Sequence, residues 1–132
     1  MQKRGATQNV PGPPDGDEVF DQLVALNRRA FEIRRFNTAY HALMAALHWA
    51  DDTRNEQELS LVERLAGEQM DWIDRYAPAY RHSTVSAGRR GNQSIFHNLE
   101  RQASTILLRI RGERRFTWLI QNPLGGQAGE GG

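Results

Sequence analysis

Apolar residues recur at three- and four-residue steps through four separate segments of this 132-residue chain. That period lays each set along one side of a 3.6-residue helix, which points to helices packed through one face each. The first set is Phe20, Leu23, Val24, Asn27, Ala30 and Phe31, opened by Asp15-Gly-Asp-Glu18, a spacing suited to a capped helix start. The second is Phe36, Ala39, Tyr40, Leu43, Ala46, Leu47 and Ala50, with Asn37 as its candidate cap. No Gly or Pro separates the two, so one long helix over about 17–50 and two shorter ones are both open.

The third set, Leu59, Val62, Leu65, Ala66, Met70, Ile73 and Tyr76, follows the polar run 51–56 and stops at Pro78. Gly67 in its middle is expected at a close helix–helix contact. Residues 79–93 read as a long loop, of a length that tends to be functional or mobile. A helix opening at Asn92 or Ser94 then presents Ile95, Phe96, Leu99, Ala103, Ile106, Leu107 and Ile110, with Gly112 as its expected cap. Beyond it Phe116, Trp118 and Ile120 alternate at period two. A lone strand is unstable, so an extended or short helical tail is expected there, packing its aromatics back on the bundle.

The expectation is an all-α, four-helix-bundle-like single domain over 15–121. Disordered tails are expected over 1–14 and over the Gly-rich 122–132. These ends hold 7 of the 12 glycines and 4 of the 5 prolines, but few apolar residues. The N-terminal residues lack the apolar run of a secretory signal, and no apolar stretch is long enough to span a bilayer. A soluble, cytoplasmic protein without membrane contact is the resulting expectation.

The absence of cysteine excludes a disulfide scaffold, thiolate metal sites and a Cys nucleophile. His41 and His48 stand seven residues apart, about 10 Å along a helix, which is too far to share one ion. With no Glu-x-x-His in the chain, no metal and no cofactor are expected. Ser83, Thr84 and Ser86 follow His82, but no nucleophile elbow surrounds them.

The net charge of +1 conceals a division: residues 15–80 carry 7 Arg against 13 Asp and Glu, and residues 81–132 carry 8 Arg against 3 Glu. Arg89 and Arg90, ahead of the last helix, together with Arg109, Arg111, Arg114 and Arg115, form the candidate anion-binding set, because guanidinium forks and free helix amides both bind phosphate. The simpler role of Arg89 and Arg90 is to stand solvated in an exposed loop, and that of the later four is to pair with the acidic third helix, hold a bundle end together or pair with a neighbouring subunit. Trp49 ends the second helix beside its stripe and Trp72 lies off the stripe of the third; with Met44 and Leu61 they give these helices a second apolar face. Such faces are central in a bundle or meet a partner, so Trp49 and Trp72 are the candidate partner-binding residues of a self-associating, non-enzymatic module.

Two resemblances bear on function. Leu26, Phe36, Ala39, Leu43, Ala46 and Leu47 fall on a pattern, about 22 residues long, that resembles one repeat of the tetratricopeptide family. The resemblance implies a helix–turn–helix hairpin of the kind that stacks to bind peptides. Arg35-Phe-Asn-Thr-Ala-Tyr-His41, with Ala-Leu-Met-Ala-Ala behind it, also resembles the HEPN family of small helical bundles, many of which cleave RNA. That second resemblance implies Arg35 and His41 as a pair acting at a phosphate, and makes RNA binding or cleavage the alternative function.

Overall fold

The computed structural model describes residues 16–123, and the side chains from Glu18 onward. The tail expected over 1–14, and the part of the C-terminal tail from 124 on, lie outside the described residues. The fold is all-α: α1 (Gly16–Glu32), α2 (Phe36–Asp52), α3 (Glu56–Tyr76), the short α4 (Thr84–Arg89) and α5 (Ile95–Gln121). The chain therefore forms two helices over 17–50. α1 packs along α2, α3 packs along α5, and α2 joins the two pairs.

The stripes become the core. Phe20, Leu43, Leu47, Leu59, Val62, Leu99 and Leu107 are buried together in its larger part. A smaller part, where α2 and α5 begin and α3 ends, holds Phe36, Met70, Ile73 and Phe96. Each such side chain contributes about 1.5–3 kcal/mol relative to exposure. Asn27 is the one polar member of its stripe, and it is fully buried. Its Nδ2 donates to the Ala39 carbonyl at 2.7 Å and to Gln69 Oε1 at 3.1 Å, while Gln69 Nε2 donates to Asn27 Oδ1 at 2.6 Å. One amide pair thus ties α1 to both α2 and α3.

Three helix ends close the same way. The amides of Arg35, Asn55 and Asn92 reach back five residues, and those of Arg34, Arg54 and Gly91 reach back three. This double bond needs a left-handed residue, and φ is 66° at Arg34, 53° at Arg54 and 75° at Gly91. Arginine stands where glycine is usual at two of the three, and its side chain offsets the backbone cost. Arg34 lies over the Trp72 ring at 4.1 Å and donates to the Glu32 carbonyl at 3.1 Å; Arg54 pairs with Glu113. Arg34→Ala loses the stacking and keeps the strain, whereas Arg34→Gly loses both. In urea unfolding the glycine variant is expected to be more stable than the alanine variant by about 1 kcal/mol; equal stabilities would remove the strain from the account.

Several local expectations need correction. The cap of α2 is not Asn37: the cap position is Arg35, with no side-chain bond, and Asn37 Oδ1 instead accepts from the Tyr80 hydroxyl. The stretch 79–93 is not all loop. Ser83 caps α4 by accepting from the Ser86 amide at 3.0 Å, and its own hydroxyl donates to the Pro78 carbonyl at 2.6 Å. At Gly67 the close neighbour is the Glu100 carboxylate, which a Cβ would meet at 2.7 Å; it is the end of a flexible side chain and not a helix backbone. Gly112 does not end the last helix. α5 runs through it to Gln121, so the aromatics beyond it are helical and stand in solvent instead of folding back.

Candidate interaction surface

α5 changes its apolar side part-way along its length. Up to Ile110 the stripe Leu99, Ala103, Ile106, Leu107, Ile110 faces the bundle and is buried. Continued at helical steps, that side carries Glu113, Arg114, Thr117 and Gln121, with Trp118 as its one apolar residue. Glu113 pairs with Arg54, and Arg114 joins Arg111 on Glu56, the Arg111 Nε lying 3.3 Å from its carboxylate. These pairs link α5 to the turn between α2 and α3. Residues 115–121 then extend it by about 10 Å past the last of them.

The apolar residues have moved to the opposite side. Leu108, Phe116, Leu119 and Ile120 lie within about a third of a turn of one another, and are 69%, 64%, 42% and 62% exposed. Trp118, 53% exposed, stands apart from this group, eleven residues after Leu107 on the continuation of the buried stripe. Single exposed apolar residues are ordinary, whereas a contiguous group at helical spacing marks a contact surface. Sequence reasoning missed this group because the period-two reading of Phe116, Trp118 and Ile120 hid its helical spacing from Leu108.

The candidate residues named from the sequence fall elsewhere, in separate places. Trp49 packs half-buried against the larger core. Trp72 is half-buried in an aromatic row at the other end, 5.4 Å from Phe31, 6.1 Å from Phe36 and 5.0 Å from Tyr76 between ring centres. Both indoles therefore spend much of their surface on their own chain. The anion-binding set also divides. Arg89 and Arg90 end α4, and Arg90 donates to the Ser86 carbonyl. Arg109, Arg111, Arg114 and Arg115 lie about 20 Å or more further along α5, measured from its start. Arg109 faces Asp51 at 3.8 Å, Arg111 and Arg114 share Glu56, and Arg115 has no carboxylate partner among the described residues.

Arg35 and His41 share no described pocket. Arg35 lines a groove of 350 Å³ with Arg34, Phe36, Asn37, Thr38 and Tyr80, and His41 is not among its walls. His41 is exposed and meets the neighbouring Tyr40 ring edge-on. The Ser83 hydroxyl goes to a carbonyl and the Thr84 hydroxyl to Asp74, so neither is held by a base histidine. No group of three His, Asp or Glu among the described residues is placed to hold a metal. No described helix is long and apolar enough to cross a membrane.

Burial, and then the Arg81 and Arg90 charges, hold the His82 imidazole below its ordinary 6.5. The fold thus favours the neutral ring. This contribution is complete above the mid-sixes and is lost as pH falls through the lower folded-state value. Unfolding midpoints in urea at about pH 7.5 and about pH 5.5 are expected to differ less in His82→Gln than in the parent chain. An unchanged difference would show that His82 does not contribute.

No family model matches the chain, and neither a curated protein nor a solved structure matches it.

Proposed function

We propose that this chain is a non-enzymatic, self-associating helical protein–protein interaction module whose contact element is the exposed side of α5 from Leu108 to Ile120. The observation that carries this reading is the switch of apolar side beyond Ile110. A helix end that only needed to be soluble would carry polar residues outward; here Arg111, Glu113 and Arg114 face the bundle turn, and Phe116, Leu119 and Ile120 face away with Arg115 beside them. The α1–α2 hairpin, whose residues 26–47 resemble a tetratricopeptide repeat, is in keeping with a binding scaffold. The pairing of Arg109, Arg111 and Arg114 with carboxylates supports the protein-contact reading over an RNA-binding one, since it occupies three cations that phosphate would need.

Sedimentation equilibrium over a wide concentration range tests the proposal. The parent chain is expected to rise in mass with concentration, and Phe116→Glu/Leu119→Glu to stay monomeric with unchanged helicity. Both positions are exposed, so neither substitution disturbs the core. A parent chain that stays monomeric, or a variant that associates equally well, contradicts the reading.

A further inference from the structure

Leu108, Gly112, Phe116 and Ile120 stand four residues apart and so form a single ridge along α5. Its members differ sharply in size. Gly112 leaves a notch: a Cβ added there would meet nothing within 4 Å. One turn further on, Phe116 is the bulkiest member and protrudes, 64% exposed. A bump one turn from a notch, on an exposed ridge, is complementary to itself when the ridge is reversed.

We infer that the surface is occupied by the same surface of a second copy, with the two α5 helices antiparallel and Phe116 of each seated over Gly112 of the other. The inference rests on the self-association proposed above and specifies its geometry. With the two-fold axis level with residue 114, Gly112 faces Phe116 and Leu108 faces Ile120, each contact occurring twice. Ridges of this every-fourth-residue type cross at about 50° when they interdigitate. The parallel alternative sets Phe116 against Phe116 and Gly112 against Gly112, which crowds one level and leaves a void at the other.

Three further points favour a second copy. Fully exposed, an aromatic side chain offers roughly 150–250 Å² and a Leu or Ile somewhat less, so Leu108, Phe116, Leu119 and Ile120, 42–69% exposed, present on the order of 450 Å² per copy. Two copies then bury on the order of 900 Å², the size of a weak, concentration-dependent pair. The residues outside the described range offer, as larger apolar side chains, only Met1, Val10 and Leu124, too few to cover this surface. Finally, Asp51 and Glu56 offset part of the charge of Arg109, Arg111 and Arg114, which lessens the repulsion between the two basic segments and leaves Arg115 as the cation of each segment without a carboxylate partner among the described residues.

The chain has no cysteine, which makes a directional test clean. Leu108→Cys and Ile120→Cys chains are mixed in a glutathione redox buffer. Antiparallel pairing is expected to give mainly the mixed 108–120 disulfide. In parallel, Gly112→Leu is followed by sedimentation equilibrium. It raises helix propensity and adds apolar surface, so a partner that simply accepts an apolar helix would be bound as well or better. In the antiparallel pair it fills the notch, and association is expected to weaken by about tenfold or more. Disulfides mainly between like positions, or undiminished association of Gly112→Leu, overturn the pairing while self-association stands. A parent chain that never exceeds monomer mass overturns both.

Discussion

Phe96→Ala is expected to lower the unfolding free energy by about 3–5 kcal/mol. Phe96 sits in the first turn of α5, fully buried, beside Phe36 of α2 and Met70 and Ile73 of α3. Its ring meets Tyr40 edge-on at 5.8 Å, a geometry that adds to simple burial. Three helices converge there, so relaxation cannot readily close the cavity left by truncation. Domains of this size have a total stability of about 5–15 kcal/mol, and the loss consumes much of it. Urea unfolding followed by helical circular dichroism reads the effect. Phe96→Leu, which keeps most of the volume, is expected to lose clearly less and remains measurable if the alanine variant does not fold. A loss below about 1 kcal/mol for Phe96→Ala contradicts this account of the second core.

The second large effect is one of coupling. Asn27→Leu leaves the Gln69 amide without its partner inside the core, whereas Gln69→Leu takes from Asn27 the acceptor bond at Oδ1 and leaves its donor bond to the Ala39 carbonyl. Each single change is expected to cost about 1–3 kcal/mol, because buried polar atoms left without a bond lose their hydration and gain nothing. The double replacement strands neither side chain, and its cost is expected to fall below the sum of the two by about 1–3 kcal/mol. A double-mutant cycle in urea measures that difference directly. Additive costs would mean that the two amides act independently, against the reciprocal bonds at 3.1 and 2.6 Å.

The legible part of this fold was the part in which one stripe serves one core. Phe20, Val24, Asn27 and Ala30, the α2 set from Phe36 to Ala50 apart from the half-buried Tyr40, the α3 set from Leu59 to Ile73 and the α5 set from Leu99 to Ile110 are buried where helical spacing put them. The break between α1 and α2 was hidden because the left-handed residue that ends α1 is Arg34, not a glycine. α4 was hidden because six residues carry too little periodicity to register; the Ser83 cap and its bond to Pro78 hold it.

The end of α5 was misread for a different physical reason. Phe116, Trp118 and Ile120 satisfy a period of two, but Phe116 and Ile120 with Leu108 and Leu119 form a helical set on the side away from Ile110, and Trp118 stands apart from it. A stripe that changes sides cannot be followed by extending the previous one. The signal that marks the switch is polar: Glu113, Arg114, Thr117 and Gln121 occupy the old apolar side. Trp49 and Trp72 lie off the main stripes of α2 and α3 and give them a second apolar face, yet both pack mainly on their own chain.

Amide hydrogen exchange of residues 115–121 at two protein concentrations tests the central claim most directly. Two helical turns beyond the last tether are too short to hold together unaided and fray when uncovered. If the exposed side of α5 is a contact surface, these amides are slowed at high concentration and exchange at nearly the unfolded-chain rate at low concentration. Residues 99–110, held by the core, are slow at both. Fast exchange at 115–121 whatever the concentration would mean that nothing covers this surface, and the interaction reading of α5 would fall.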